Sequence, residues 1–158
     1  MDRLVEKTYK MLRAQGATLA IAESCTGGLL CKLFTDLPGC SDVFLGGVVS
    51  YANEVKAGVL GVSEDCLLLH GAVSEETARC MAKGVRLALG SAVGIATTGI
   101  AGPGGGSEKK PVGLVFIAVA DGQRCVVERN IFAGTREDVR ESAAKRAYEI
   151  LDTFLQAE

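Results

Sequence analysis

The stretch Thr18-Leu-Ala-Ile-Ala-Glu-Ser-Cys-Thr-Gly-Gly28 constrains the fold more than any other part of the chain. A short apolar run, readable as a buried strand over 18–23, stops on Ser24, and a helical pattern begins at Leu29-Leu30 and Leu33-Phe34. A strand that turns through glycines into a helix must bury one side of each element against the rest of the chain. A hydroxyl at such a junction lies near the unpaired amides of a helix N-terminus, where developing negative charge is stabilised. The junction therefore suits a nucleophile with its own oxyanion site, or a plain anion cradle.

The remaining pattern alternates helices and strands. Leu4, Val5, Thr8, Met11 and Leu12 have helical spacing and predict a first helix closed by Gly16. The second helix is expected over about 27–36, stopped by Pro38-Gly39. Val43 to Tyr51 is a second strand whose Gly46-Gly47 pair marks a bulge or a close backbone approach. Asn53 is a good N-cap for a short helix reaching about Leu60, and Ser63 and Ser74 are N-caps followed by acids. Ala78, Met81, Ala82, Val85 and Leu89 predict a helix ended by Gly90.

Ser91 to Thr98 reads as a buried strand, and a Gly-rich loop covers 99–111. Two further strands, Gly113 to Ala120 and Arg124 to Phe132, are joined by the hairpin signal Asp121-Gly122. The last helix starts at Thr135, where Thr135-Arg-Glu-Asp138 has the form of a capping box with Asp in place of Glu. Helices alternating with strands, plus one hairpin, predict an α/β fold: a three-layer α/β/α sandwich on a mixed, mostly parallel sheet. At 158 residues and 48% apolar, the expectation is one well-cored domain over 1–158.

Composition removes several function classes. With 17 basic and 19 acidic residues the net charge is −2, so no bulk basic field points to nucleic acid. Aromatics make up 5% and Trp is missing, which disfavours a base-stacking platform. Cys25, Cys31, Cys40, Cys66, Cys80 and Cys125 form no C-x-x-C pair, and are expected to be buried free thiols in a reducing compartment. Met1-Asp2-Arg3 runs straight into an amphipathic pattern, unlike an export signal or membrane span, so the expected location is the cytoplasm. No His pair or Cys/His cluster has metal-ligand spacing, and no metal is expected.

Four segments could carry chemistry: Glu23 to Gly28, Tyr51 with Asn53 and Lys56, Thr97 to Gly106, and Arg136 with Arg140. Three of them begin at the C-terminal end of an expected strand, the edge where open α/β sheets bind ligands. Gly99–Gly106 is neither a P-loop nor a dinucleotide fingerprint, since no Gly-Lys-Ser/Thr follows and Ser107 stands where the last Gly should be. Its glycines still let a backbone approach a phosphate or carboxamide closely.

At about 100° per residue, Val139, Ala143, Ala147, Ile150 and Phe154 form one apolar face of the last helix, with Arg136 near its centre and Arg140 near its edge. A cation on a buried face in the first turn opposes both burial and the helix dipole. An anionic ligand there, or a structural ion pair, would account for it. A Ser nucleophile also needs a base. The only histidine, His70, follows three leucines and reads as a packed residue. Lys56 could serve once burial lowers its pKa; otherwise it is an ordinary solvated helix lysine.

Ala22-Glu-Ser-Cys-Thr-Gly-Gly28, Ser50-Tyr-Ala-Asn-Glu-Val-Lys56, Gly71-Ala-Val-Ser-Glu75 and Thr97-Thr-Gly-Ile-Ala-Gly-Pro103 strongly resemble the CinA C-terminal domain family. Its characterised members are nicotinamide-nucleotide amidohydrolases, the NMN deamidases. The resemblance implies hydrolysis of nicotinamide mononucleotide, without a cofactor, by a compact α/β/α sandwich that self-associates into homo-oligomers. It implies Ser24 as nucleophile and Lys56 with Tyr51 as its acid/base partners. Substrate would be bound by Thr26, Gly27, Gly28, Thr97, Thr98, Gly99 and Gly102, with Arg136 and Arg140 on the phosphate side. Larger CinA proteins carry an additional N-terminal nucleotide-hydrolase domain; none of its sequence is expected here, so metal-dependent ADP-ribose hydrolysis is not carried over. A non-catalytic nucleotide-binding or interaction module, or an amidohydrolase of another small amide, remains the alternative.

Overall fold

β1 (Leu19–Glu23) is completely buried along its length and organises the molecule, whose computed structural model describes residues 1–157. β2 (Phe44–Val49) and β3 (Val93–Gly99) flank it, both parallel to it. β4 (Leu114–Ala120) and β5 (Cys125–Ile131) then add as an antiparallel hairpin, giving the order β2-β1-β3-β4-β5. The sheet is thus mixed, with a parallel part that holds the β1–β3 strand ends together.

Alternation along β1 divides the interior. Leu19 and Ile21 face a core filled by α1 (Asp2–Ala14), α2 (Leu29–Thr35) and α6 (Arg136–Gln156), with Leu12, Phe34, Tyr148 and Leu151 packed there. Ala20 and Ala22 face α5 (Glu75–Leu89), together with Ala96, Ala118 and Ala120. These small side chains let α5 lie close to the sheet: a Cβ at Gly94 would collide with the Ala82 carbonyl. Helices on both faces complete the three layers.

Two short helices, α3 (Asn53–Gly58) and α4 (Glu64–His70), lie between β2 and α5. Several local expectations are met. Ser63 and Ser74 accept from Cys66 N and Thr77 N as N-caps, and Thr135 and Asp138 form a reciprocal capping box. The β1/β2 register shifts at Leu19/Ala20, opposite the stretch containing Leu45, and Gly47 lies against Cys31.

Three local readings are corrected. Asn53 is the first residue of α3 rather than its cap; Ala52 occupies the N-cap position without a side-chain bond, and the helix ends at Gly58. His70 is exposed rather than packed, because α4 packs only Leu67 inward and turns its last residues outward: Leu68 and Leu69 are 85% and 76% exposed. The second helix begins at Leu29, since Gly27 and Gly28 both have positive φ (60° and 98°) and make the preceding corner. Among the described residues, no helix is long and apolar enough to cross a membrane.

Candidate active site

The C-terminal ends of β2, β1 and β3 lie side by side, and the strand order reverses between β1 and its two neighbours. This edge is where a doubly covered sheet leaves room for a ligand. Ser24 follows β1 directly, and its N–H donates to Thr97 O of β3 at 3.0 Å. Ser50 follows β2 and donates through its own N–H to Glu23 O at 2.7 Å. The three strand ends are thereby tied into one floor.

Lys56 enters this floor from α3 and is its only buried residue, 1% exposed. The first turns of a short helix aim Nζ back at the strand ends. There it meets Ser50 O at 2.6 Å, Tyr51 O at 3.3 Å and Ser24 Oγ at 3.2 Å. Two carbonyls and one hydroxyl surround the amine, and none of these three partners is a carboxylate. Burial pushes the Lys56 pKa down from its ordinary value, opposed by the nearby Cys25 thiol. An ammonium would donate to all three oxygens. A neutral amine keeps its two N–H bonds to the carbonyls and turns its lone pair to Ser24, ready to accept the hydroxyl proton.

The turn after Ser24 is held from several sides. Gly27 N donates to Ser24 O at 3.0 Å, and the Thr26 and Thr97 hydroxyls share a 2.7 Å bond. Arg140 Nη2 donates to Thr26 O at 2.8 Å. The fully buried Glu23 carboxylate accepts from Gly28 N (3.1 Å), Leu30 N (3.1 Å) and Cys31 N (2.9 Å). This corrects the expectation that the amides starting the second helix lie open to an anion: a carboxylate of the same chain occupies them. Cys25 N and Thr26 N donate to no acceptor among the described residues. Burial pushes the Cys25 thiol up to about 11, with its own backbone, then Arg136 and Arg140, pulling the other way and Glu23 reinforcing the rise.

The two arginines reach the site from α6, each to a different segment. Arg136 Nη1 donates to Gly102 O and Nη2 to the Tyr51 hydroxyl, both at 2.8 Å. Helical spacing puts Arg136 on the buried face of its helix, yet it is exposed, because the first turn of α6 projects past the sheet edge toward the Gly-rich loop. Arg140, one turn on, is half-buried.

The expected site residues therefore separate. Ser24 and Lys56 are in contact. Tyr51 reaches Lys56 only through its carbonyl, while its 58% exposed side chain joins Arg136. Thr97 and Thr98 alternate across β3: Thr97 bonds to Thr26, whereas Thr98 Oγ1 donates to Ala72 O at 2.7 Å. Gly99 ends β3 against Val115, and Gly102 carries the carbonyl that holds Arg136. Sequence reasoning missed Ser50, whose carbonyl makes the shortest contact to Lys56, and Glu23. The signal for Glu23 was available: a Glu ends an otherwise apolar strand that is buried on both faces.

Comparison with known proteins agrees with this architecture. A family model described as the CinA C-terminal domain matches residues 1–155. A CinA-like protein of Geobacter sulfurreducens is 49% identical over 142 residues, covering 90% of this chain and 34% of that protein. One from Thermotoga maritima is 43% identical over 155 residues, covering 98% and 38%. The chain thus spans little more than a third of the length of these curated relatives. Among solved structures, a competence/damage inducible protein of Agrobacterium tumefaciens superposes with a TM-score of 0.94 at 36% identity, covering 98% of this chain and 94% of that one.

Proposed function

The chain belongs to the CinA C-terminal domain family, and we propose that it hydrolyses the carboxamide of nicotinamide mononucleotide to nicotinic acid mononucleotide and ammonia. The observation that carries this reading is the buried Lys56 amine 3.2 Å from Ser24 Oγ, held by two carbonyls and depressed in pKa by burial. That is the arrangement a Ser-Lys amide hydrolase requires.

Ser24 Oγ attacks the carboxamide carbon as its proton passes to Lys56 Nζ, and the carbonyl electron pair moves onto oxygen. In this reading Cys25 N, which has no main-chain acceptor among the described residues, is the donor to that developing charge; one such donor is typically worth about 100- to 1,000-fold in rate. As the tetrahedral species collapses, the C–N bond breaks and Lys56 gives its proton to the departing ammonia. Water then adds to the acyl-enzyme, losing a proton to Lys56, which returns it to Ser24 as the ester bond breaks. Thr26, Gly27 and Gly28 shape the turn, and Thr97 braces it from β3, while Thr98 holds Ala72 on the opposite face of the strand. Tyr51, through its carbonyl, helps hold the base.

The phosphate of the substrate belongs at the guanidiniums of Arg136 and Arg140, beside Gly99 and Gly102 of the Gly-rich loop. The reading extends to a cytoplasmic, self-associating protein that needs no cofactor. Incubating the purified protein with nicotinamide mononucleotide and measuring ammonia tests it. Release that vanishes in Ser24→Ala supports the covalent route, and near-normal release by Ser24→Ala refutes it. Binding of the nucleotide with no ammonia released identifies a binding module instead.

A further inference from the structure

We infer that Glu23 is a positioning residue whose carboxylate, by occupying the amides of Gly28, Leu30 and Cys31, fixes the turn that presents Ser24 and the free amides behind it. The inference rests on the reading of Ser24 as nucleophile. Its starting point is a disproportion: Glu23 is 0% exposed, and its three nearest donors are main-chain amides rather than a cation. Burying a carboxylate is costly, and three amide bonds at one helix start offset that cost only in one orientation of the turn. A residue serving merely to cap α2 could be a Ser, Thr or Asp at the N-cap position. That position is instead Gly28, with φ of 98°, and the cap comes from five residues upstream.

Reaching across the corner has a geometric consequence. The segment between Glu23 and Gly28 contains Ser24, Cys25, Thr26 and Gly27, so the side chain closes a ring around the nucleophile. The ring is braced outside by Ser24 N on Thr97 O and by Arg140 on Thr26 O. Inside it, Gly28 N is taken, and Gly27 N is taken by Ser24 O. Cys25 N and Thr26 N alone remain without acceptors among the described residues. The carboxylate thus removes the wrong donors from the mouth and orients the right ones. The backbone of the same residue serves the base: Glu23 O accepts from Ser50 N, and Ser50 O holds Lys56. One residue therefore sets nucleophile and base through separate atoms, and a side-chain substitution disturbs only the former.

The test uses the whole chain and two readouts, ammonia release and the rate at which a fluorophosphonate labels Ser24, followed by mass spectrometry. The probe's phosphoryl oxygen requires the same donors as a tetrahedral intermediate, whatever the natural substrate. In Glu23→Gln the amide –NH2 faces main-chain donors and the ring loosens. Folded Glu23→Gln is expected to keep KM within about twofold while kcat and Ser24 labelling each slow about a hundredfold, the scale of a misplaced reacting group. Labelling at the wild-type rate overturns the inference, as does a loss that only tracks the unfolded fraction. Should Glu23→Gln fail to fold, hydrogen exchange in the unaltered protein decides. Protection of the Gly28, Leu30 and Cys31 amides supports the inference, and exchange as fast as in an unstructured chain overturns it. A wild-type protein labelled at Ser24 that releases no ammonia refutes the substrate and leaves the Glu23 role standing. One that is not labelled refutes nucleophile and positioning residue together.

Discussion

Lys56→Met separates the chemistry of the site from its contribution to folding. Met matches the apolar stem of Lys but carries neither donor nor lone pair. Its stability effect has two opposing parts. Ser50 O and Tyr51 O lose the amine that now lies 2.6 and 3.3 Å away. Leaving a buried acceptor unpaired costs about 1–3 kcal/mol. Against that, the substitution relieves the burial of an amine whose charged form the fold already disfavours. The net loss should stay within about 2 kcal/mol, a fall in Tm of roughly 4–8 °C for a chain of this size. Activity should respond far more, because a positioned general base contributes about 10²- to 10⁴-fold. We expect kcat to fall by about 10³-fold in protein that thermal unfolding shows to be folded at 25 °C. Folded Lys56→Met that retains more than a tenth of kcat would refute the assignment.

The same burial sets the pH dependence. Lys56 has its folded pKa below 10.5, so the neutral amine accumulates as pH rises through that lowered value. The kcat/KM profile of the wild type should climb over this range, and the residual activity of Lys56→Met should lack the limb. Linkage carries the opposite label but the same window. Between the lowered folded pKa and 10.5 the unfolded chain holds a proton that the folded one has released, so stability rises with pH there. Below the window the penalty is fully present, and above it the penalty is gone. Urea titrations across the window should show the wild type gaining on Lys56→Met as pH increases; a flat difference contradicts the burial argument.

Three further perturbations address other parts of the site. Arg136→Ala, which frees Gly102 O and the Tyr51 hydroxyl, should raise KM for the nucleotide at least tenfold more than for the dephosphorylated riboside; equal changes indicate a structural arginine. Gly27→Ala forces φ near 60° on an L-residue and sets a Cβ 3.4 Å from Arg140 Nη2, so it should cost about 1–2 kcal/mol by urea unfolding and lower kcat together; wild-type stability would contradict the positive φ. Tyr148→Phe removes a buried 2.7 Å bond to Leu30 O, for a loss of about 1 kcal/mol, or 2–4 °C in Tm, with kcat unchanged; an altered kcat would show that α6 controls the turn through α2.

Hydrophobic periodicity made the elements legible because it reports burial residue by residue. The largely apolar β1 and β3 read as central strands, and the stripe from Ala78 to Val85 as a helix face on a sheet. Where a residue's neighbours come from distant segments, periodicity is silent. His70 follows three leucines, yet only Leu67 packs inward, while Leu68 and Leu69 face outward because α4 is only seven residues long and rests on α5 by one side. Arg136 shares the angular position of buried residues, but angle does not tell where along its axis a helix outruns the sheet. Lys56 shows the limit most plainly. Its spacing from Tyr51 allowed a solvated lysine, and only the return of Ser50 onto Glu23 O creates the pocket that buries it.

That return also explains why a Ser-Lys pair can exist here without a carboxylate beside the lysine. A nearby carboxylate would stabilise the ammonium and hold the proton that catalysis must release. Glu23 is adjacent to Ser24 in sequence and could have played that part. As the last residue of β1 it instead points to the α2 face, the alternate face from Ala22, where three amides absorb its charge. Strand alternation thus sends the carboxylate to one side of the sheet while the strand's carbonyl anchors Ser50 and, through it, Lys56. A one-residue slip of β1 would exchange those directions, exposing the lysine to the acid and the α2 amides to the interior. The register of the central strand is therefore a catalytic variable as well as a packing one.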